Sequence, residues 1–329
     1  MRIVLSRVVR FILSIALLAA MPAAAHAQSE RYVVLLQGAS GEEQYATLHR
    51  EWIDGMTKVL VDRFKIDKAR VSILTEAPRP GEEKATAENV KIVFGRLAKQ
   101  IKAGDLLFVV MIGHGGGQGG DAKFNLIGPD LSVAEWAALL QPVQGRIAVV
   151  DSTSASFPYL SGLKGPGRIV ITATNSTAQR YHTVFPDAFL KALTASDADV
   201  DKNGRISLLE AFTHASRLVA QHYEQNGHLA TERAVFDDTG DGVGRDATSP
   251  GPDGTIAGLT FLDTLVMPTS SDPAVQEMVG RQKALTEQVD ELRRKRPTMP
   301  AEEFDREFEK LIVELALVSR DVRRKTGGD

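Results

Sequence analysis

The chain has 329 residues, 43% hydrophobic and 25% charged, an ordinary globular balance with enough apolar surface for a sizeable core or two domains. Its net charge of −3 carries no basic excess, so nothing points to a nucleic-acid partner. It contains no cysteine, which excludes disulfides, thiolate metal sites and a thiol nucleophile.

Arg2, Arg7 and Arg10 precede the apolar run Phe11 to Ala20, and Ala25-His26-Ala27 gives a small-x-small site before Gln28. These are the three parts of a secretory signal peptide over residues 1–27, and the apolar run is short for a spanning helix. Export to the periplasm or beyond is the expectation, with the membrane met only in transit. Losing three arginines and no acid takes the charge from −3 to −6. An exported chain without disulfides has to be held together by packing or by metal.

Tyr32 to Leu36 is the first strand candidate, and after a Gly38-Ala-Ser-Gly41 turn the residues Tyr45, Leu48, Trp52, Met56 and Leu60 recur at helical spacing. Arg70 to Leu74 predicts a second strand. A Pro/Gly loop then leads to Thr86–Ile101, with Val90, Val93, Phe94, Leu97 and Ile101 on one face. Leu106 to Ile112 is the third strand, and the glycines from Gly113 to Gly120 predict a loop. Phe124 to Ile127 reads as a short strand or hairpin arm. Ser132 with Glu135 is a capping-box signal for a helix carrying Trp136, Leu139 and Leu140. Ile147 to Val150 and Arg168 to Thr172 follow as strands, and this alternation predicts parallel βαβ units.

A helical patch, Phe185 to Leu193, and a longer amphipathic helix, Leu208 to Tyr223, flank an acidic loop. Asn226 to Gly258 reads as loop, and Leu259 to Val266 as a strand that closes the domain. From Asp272 the composition turns to charged helix. Val275, Met278, Leu285, Val289 and Leu292, and after the Pro297–Pro300 break Phe304, Phe308, Leu311, Leu315, Val318 and Val322, fall at coiled-coil heptad spacing. The short connection favours an antiparallel hairpin over residues 267–329; the alternative is pairing with a second copy, a homo-oligomer through these helices.

Two apolar runs end in polar residues: Leu106–Ile112 in Gly113-His114-Gly115, and Ile147–Val150 in Asp151-Ser152-Thr153-Ser154-Ala155-Ser156. Carboxyl ends of strands in open α/β sheets are where ligands and chemistry sit. These motifs resemble the caspase, metacaspase and legumain (C13-like) cysteine peptidases. In that family one strand ends in histidine and glycine, and the next in an acidic or small residue, one more small residue and the nucleophilic cysteine. His114-Gly115 matches the first motif and Asp151-Ser152-Thr153 the second, with threonine where the family has cysteine.

The resemblance covers roughly Tyr32 to Gly244 in element order and implies a three-layer caspase-like α/β domain, residues 28–266. It also implies an acid–base role for His114 and the nucleophile position for Thr153. A threonine hydroxyl ionises far above a thiol, is hindered by its methyl group, and within a chain has no freed α-amine to act as its base. The expectation is therefore a pseudo-peptidase that binds a protein or peptide. The alternative is a hydrolase in which Thr153, Ser154 or Ser156 acts with His114 as base and Asp151 as orienter. Moving the attacking atom one or three residues along the chain re-aims it by more than the ~1 Å that already impairs catalysis.

The glycine run lacks the G-x-x-x-x-G-K-S/T phosphate pattern and reads as the rim of the crevice, which Arg180 and His182 could also line. The loop from Asp199 to Glu210 is the most constrained pattern in the chain. An EF-hand calcium loop needs oxygen ligands at positions 1, 3, 5, 7 (through the backbone), 9 and 12, with glycine at 6 and an apolar residue at 8. Asp199, Asp201, Asn203, Arg205, Ser207 and Glu210 fill the ligand places, with Gly204 at the turn and Ile206 at position 8. An Asp-Asn-Gly turn before a capped helix explains part of this without metal. Calcium is the expected cofactor, acting as a structural clip. Asp237 to Gly242 starts in the same way but has Thr248 where the glutamate belongs, so a bent loop is expected there.

Overall fold

Alternation of side chains along the strands decides the architecture. The computed structural model describes residues 29–117, 119–263, 272–295 and 299–326. Its strands are β1 (Arg31–Gln37), β2 (Val71–Thr75), β3 (Glu83–Lys84), β4 (Leu106–Ile112), β5 (Gly115–Gly116), β6 (Lys123–Phe124), β7 (Leu131–Ser132), β8 (Arg146–Asp151), β9 (Arg168–Thr172) and β10 (Val235–Asp237). Seven of them form one sheet in the order β10-β9-β8-β4-β1-β2-β3, and β5-β6-β7 form a small one. Every pairing in the large sheet is parallel except β10 on β9. The protein is thus a mixed α/β fold with a mainly parallel central sheet.

Interleaved with the strands are helices α1 (Glu43–Lys58), α2 (Ala87–Gln100), α3 (Val133–Leu140), α4 (Phe157–Gly162), α5 (Phe185–Ala192), α6 (Leu208–Gln225) and α7 (Thr255–Gly258). The odd residues of β1 and the even residues of β4, among them Val33, Leu35, Phe108 and Val110, pack with Ile53 and Met56 of α1, Phe189 of α5 and Phe212 of α6. Their neighbours Val34, Leu36, Val109 and Met111 pack on the other face with Phe94 of α2, Trp136 of α3 and Tyr159 of α4. Strands buried on both faces read as unbroken apolar runs, which is why β4 is LLFVVMI. The Ser132 capping box is formed in both directions and starts α3.

Helices α8 (Pro273–Lys295) and α9 (Ala301–Thr326) pack against each other. Arg281 pairs with Glu314 at 2.6 Å and Gln282 donates to the Ser319 hydroxyl at 3.0 Å, a register that an antiparallel hairpin gives. Val275, Leu285, Val289, Leu292, Phe304 and Val322 of the heptad stripe are buried. Among the described residues, no helix is long and apolar enough to cross a membrane. The signal-peptide reading of residues 1–27 and the boundary at residue 267 lie outside the described residues.

Four expectations change. Strand β3 lies within the stretch read as a Pro/Gly loop, and β10 and α7 lie within the stretch read as loop from 226 to 258. These elements are two to four residues long, too short to show a period, and β10 is fixed by its distant pairing of Phe236 with Ile171. Gly115 and Gly116, expected in a loop, pair with Phe124 and Lys123. The strand expected over 259–266 is an isolated bridge from Phe261 to Ser207 as far as residue 263, because the segment passes the start of α6 without a neighbouring strand to extend along.

Candidate site at the carboxyl ends of the central strands

Parallel pairing of β4 with β8 sets Met111 opposite Asp151, so the two motif-bearing ends leave the sheet side by side. The Ser152 amide and hydroxyl both donate to the Met111 carbonyl, at 3.0 and 2.6 Å, and lock the second end to the first. The Thr153 amide donates to Asp151 Oδ1 at 3.0 Å. Ser156 is fully buried, its hydroxyl 2.9 Å from that of Thr174, and Thr183 donates to the Ser152 carbonyl. This cluster of hydroxyl residues mostly satisfies its own backbone.

Gly115, the residue after His114, passes directly over this turn. A Cβ built there would stand 2.8 Å from Ala155 Cβ and 3.2 Å from Thr153 Oγ1, so a glycine is what lets the chain come so near. Thr153 beneath it is 1% exposed. Above lies a cavity of about 230 Å³ lined by Gly115, Ser154, Ala155, Ser176 and Arg180 among others. Of the hydroxyl groups proposed from sequence, Ser154 reaches the cavity, and Thr153 and Ser156 do not line it.

Asp151 is fully buried, and Oδ2 has no hydrogen-bond partner among the described residues. Burial pushes its pKa up to about 7, against the pull of the Thr153 amide and hydroxyl. The His114 ring meets Tyr45 edge-on at 4.9 Å, and the rings of His49 and His182 lie 5.3 and 6.0 Å from it. His182 stacks on Tyr45 at 4.7 Å and on Trp52 at 5.7 Å. Burial, reinforced by His114 and His182, drives the His49 pKa down to about 3, and His182 is lowered chiefly by burial. His49 and His182 are thereby held neutral around pH 7.

Sequence reasoning placed His114 and His182 near the crevice but missed His49. The signal was present: Tyr45, His49 and Trp52 share one face of α1 at i, i+4 and i+7, and His49 belongs to that buried face.

In the 199–210 loop, Asp199, Asp201 and Glu210 bring carboxylate oxygens within 4.8 Å of one another. Asp199 accepts from the amides of Asn203 and Gly204, and Gly204 takes a positive φ of +82°, which glycine adopts without strain. The Asn203 side chain donates to Asp201 at 2.8 Å. Ser207 caps α6 and donates to Glu210 Oε2 at 2.8 Å. The Arg205 side chain leaves the loop for a double contact with Asp263 and lies 3.9 Å over the Phe261 ring.

No protein-family model and no curated protein matches this chain. Among solved structures it is similar to the crystal structure of protein GSU0716 from Geobacter sulfurreducens, at 14% identity and a TM-score of 0.41, over 63% of this chain and 92% of that one.

Proposed function

We propose that this is an exported, calcium-stabilised pseudo-peptidase of the caspase/legumain-like type, which holds a peptide or protein segment in its crevice without cutting it. The observation that carries this reading is the burial of Thr153, 1% exposed beneath Gly115, at the place where the family keeps its nucleophile. A hydroxyl there is both hard to ionise and shielded from a substrate carbonyl. The cavity above it persists, and β5 on its wall is an edge strand of the small sheet. An extended segment would pair with that edge through its backbone and set a side chain into the cavity.

Calcium in the 199–210 loop would be held by Asp199, Asp201, Asn203, the Arg205 carbonyl, Ser207 and Glu210, in the EF-hand manner. The three convergent carboxylates support this, and the ion would fasten the start of α6 to the segment after α5. Outside the cell an affinity on the order of 10⁻⁴ to 10⁻³ M suffices for such a clip. In this reading residues 1–27 direct export, 28–266 form the binding domain, and the hairpin of 267–329 offers a second contact surface.

The test is a library of extended peptides presented to the purified chain with calcium. Saturable binding without cleavage is expected, weakened at least about tenfold by Ser154→Trp, which fills the cavity, a loss of about 1.4 kcal/mol. Cleavage that disappears in His114→Ala would overturn the reading. Ser154 favours a second reading, a serine hydrolase, because its residue reaches the cavity. A fluorophosphonate that labels the chain, and fails to label Ser154→Ala, would establish that instead.

A further inference from the structure

Imidazoles from three separate elements meet beside the crevice: His49 from α1, His114 from the end of β4, and His182 from the loop between β9 and α5. Their ring centres lie 5.3, 5.8 and 6.0 Å from one another. Tyr45 and Trp52 of α1 close the group, with His182 stacked on both. Among the described residues the hydrogen-bond partner of these rings is the uncharged Ser40 hydroxyl, 3.3 Å from His49 Nδ1.

The charged groups on the surrounding elements are engaged elsewhere. On α1, Arg50 pairs with Glu82 and Asp54 with Arg79, while Glu43 and Glu51 are exposed. Glu42 accepts from Gln44, and Glu76, after β2, accepts from the Ser40 amide. At the end of β8, Asp151 accepts from the Thr153 amide. Glu232 accepts from the amides of Val184 and Phe185 and from the Tyr223 hydroxyl. On the loop itself Arg180 donates to the Thr177 carbonyl, and Asp187 of α5 pairs with Lys191. Two imidazolium charges at this spacing would therefore face each other without a counter-charge.

The loop that carries His182 is also a wall of the crevice, since Ser176, Thr177, Gln179 and Arg180 line the cavity. Its ends are fastened, Thr174 to the Ser156 hydroxyl and Thr183 to the Ser152 carbonyl. Between them His182 lays the loop against α1, while Tyr181 beside it is 70% exposed.

We infer that the three histidines form a pH-sensitive latch: proton uptake at His182 and its neighbours frees the loop from α1 and opens the crevice as the surroundings turn acid. Burial lowers both His49 and His182 from their ordinary value of 6.5, so the closed loop binds fewer protons than the open one. Closure is therefore fully favoured above pH 6.5 and is lost as pH falls below it. A first imidazolium can rest on the faces of Tyr45 and Trp52, and a second one makes the packing untenable. The effect on a bound segment rests on the proposed peptide-holding crevice; the movement of the loop does not.

The experiment is acrylamide quenching of tryptophan fluorescence in the full chain between about pH 7.5 and about pH 5, with circular dichroism recorded alongside. Trp52 and Trp136 are 5% and 2% exposed, so quenching should be weak at the upper pH. Opening uncovers Trp52, and the quenching constant should rise several-fold on acidification with the helical signal unchanged. His182→Phe keeps a ring on Tyr45 and Trp52 but takes no proton, and should stay weakly quenched throughout. His114→Gln removes one charge from the group and should move the midpoint toward acid. Equal pH dependence in wild type and His182→Phe, a midpoint unmoved by His114→Gln, or a rise that comes only with loss of helix would overturn the proposal. A peptide selected at about pH 7.5 should dissociate with the same midpoint, and one that stays bound after Trp52 is uncovered would overturn the gating. If no peptide binds at either pH, the crevice reading fails while quenching still decides the latch.

Discussion

At the crevice the polar side chains turn inward, Ser152 onto Met111, Ser156 onto Thr174 and Thr153 under Gly115. In the 199–210 loop the carboxylates of Asp199, Asp201 and Glu210 turn toward one another and none is fully buried. On the proposed reading of the two regions, the difference is one of demands. A nucleophile must be a single reactive atom held in reach of a substrate, and one exchange removes it. A cation loop needs a shell of ordinary oxygens, each contributing part of the whole.

The largest effect should come from the buried ionisable groups of the crevice, which shift stability with pH in opposite senses. Asp151 has a folded pKa raised from 3.8 to about 7. Its contribution is present below the unfolded value and lost as pH rises through the folded one. Asp151→Asn should therefore gain on wild type by roughly 4 kcal/mol between pH 4 and pH 8. His49 is lowered from 6.5 to about 3, so stability present above pH 6.5 is lost as pH falls toward 3, and His49→Gln should flatten that acid limb. Denaturant melts at a series of pH values check both. Equal pH dependence in wild type and Asp151→Asn would mean that the aspartate is hydrated and the crevice far more open than described.

Next in size is calcium. At a concentration 100-fold above its dissociation constant the ion should add about 2.7 kcal/mol to wild type. Glu210→Ala should lose that gain and Ser154→Ala should keep it, as read from thermal melts with and without chelator. A smaller effect tests the roof over Thr153. Gly115→Ala has no room and should cost about 1–3 kcal/mol, whereas Gly116→Ala, with nothing within 4 Å of its added Cβ, should change stability by less than about 0.5 kcal/mol.

Long buried strands and amphipathic helices were legible because their periods run over whole elements: β1, β4, β8 and β9, and the faces of α1, α2 and α6, fall where alternation and helical spacing place them. The convergence of Asp199, Asp201 and Glu210 could be anticipated because the three lie within one short stretch of sequence. That of Asp253 with Asp237 could not, since only the folded chain brings the two together. His49 was hidden differently, as a polar residue on an apolar face. Strands β3, β5 and β10 have too few residues to carry a pattern, and β10 is set by a partner distant in sequence.

The margins of the large sheet also bear on how the protein behaves in concentrated solution. One side ends in two residues of β3 and the other in three residues of β10 that run against their neighbour. Neither offers a template long enough for another molecule to lengthen by strand exchange, the usual start of ordered aggregation. Among the described residues, the outermost strands of this sheet are therefore too short to be extended by strand exchange themselves.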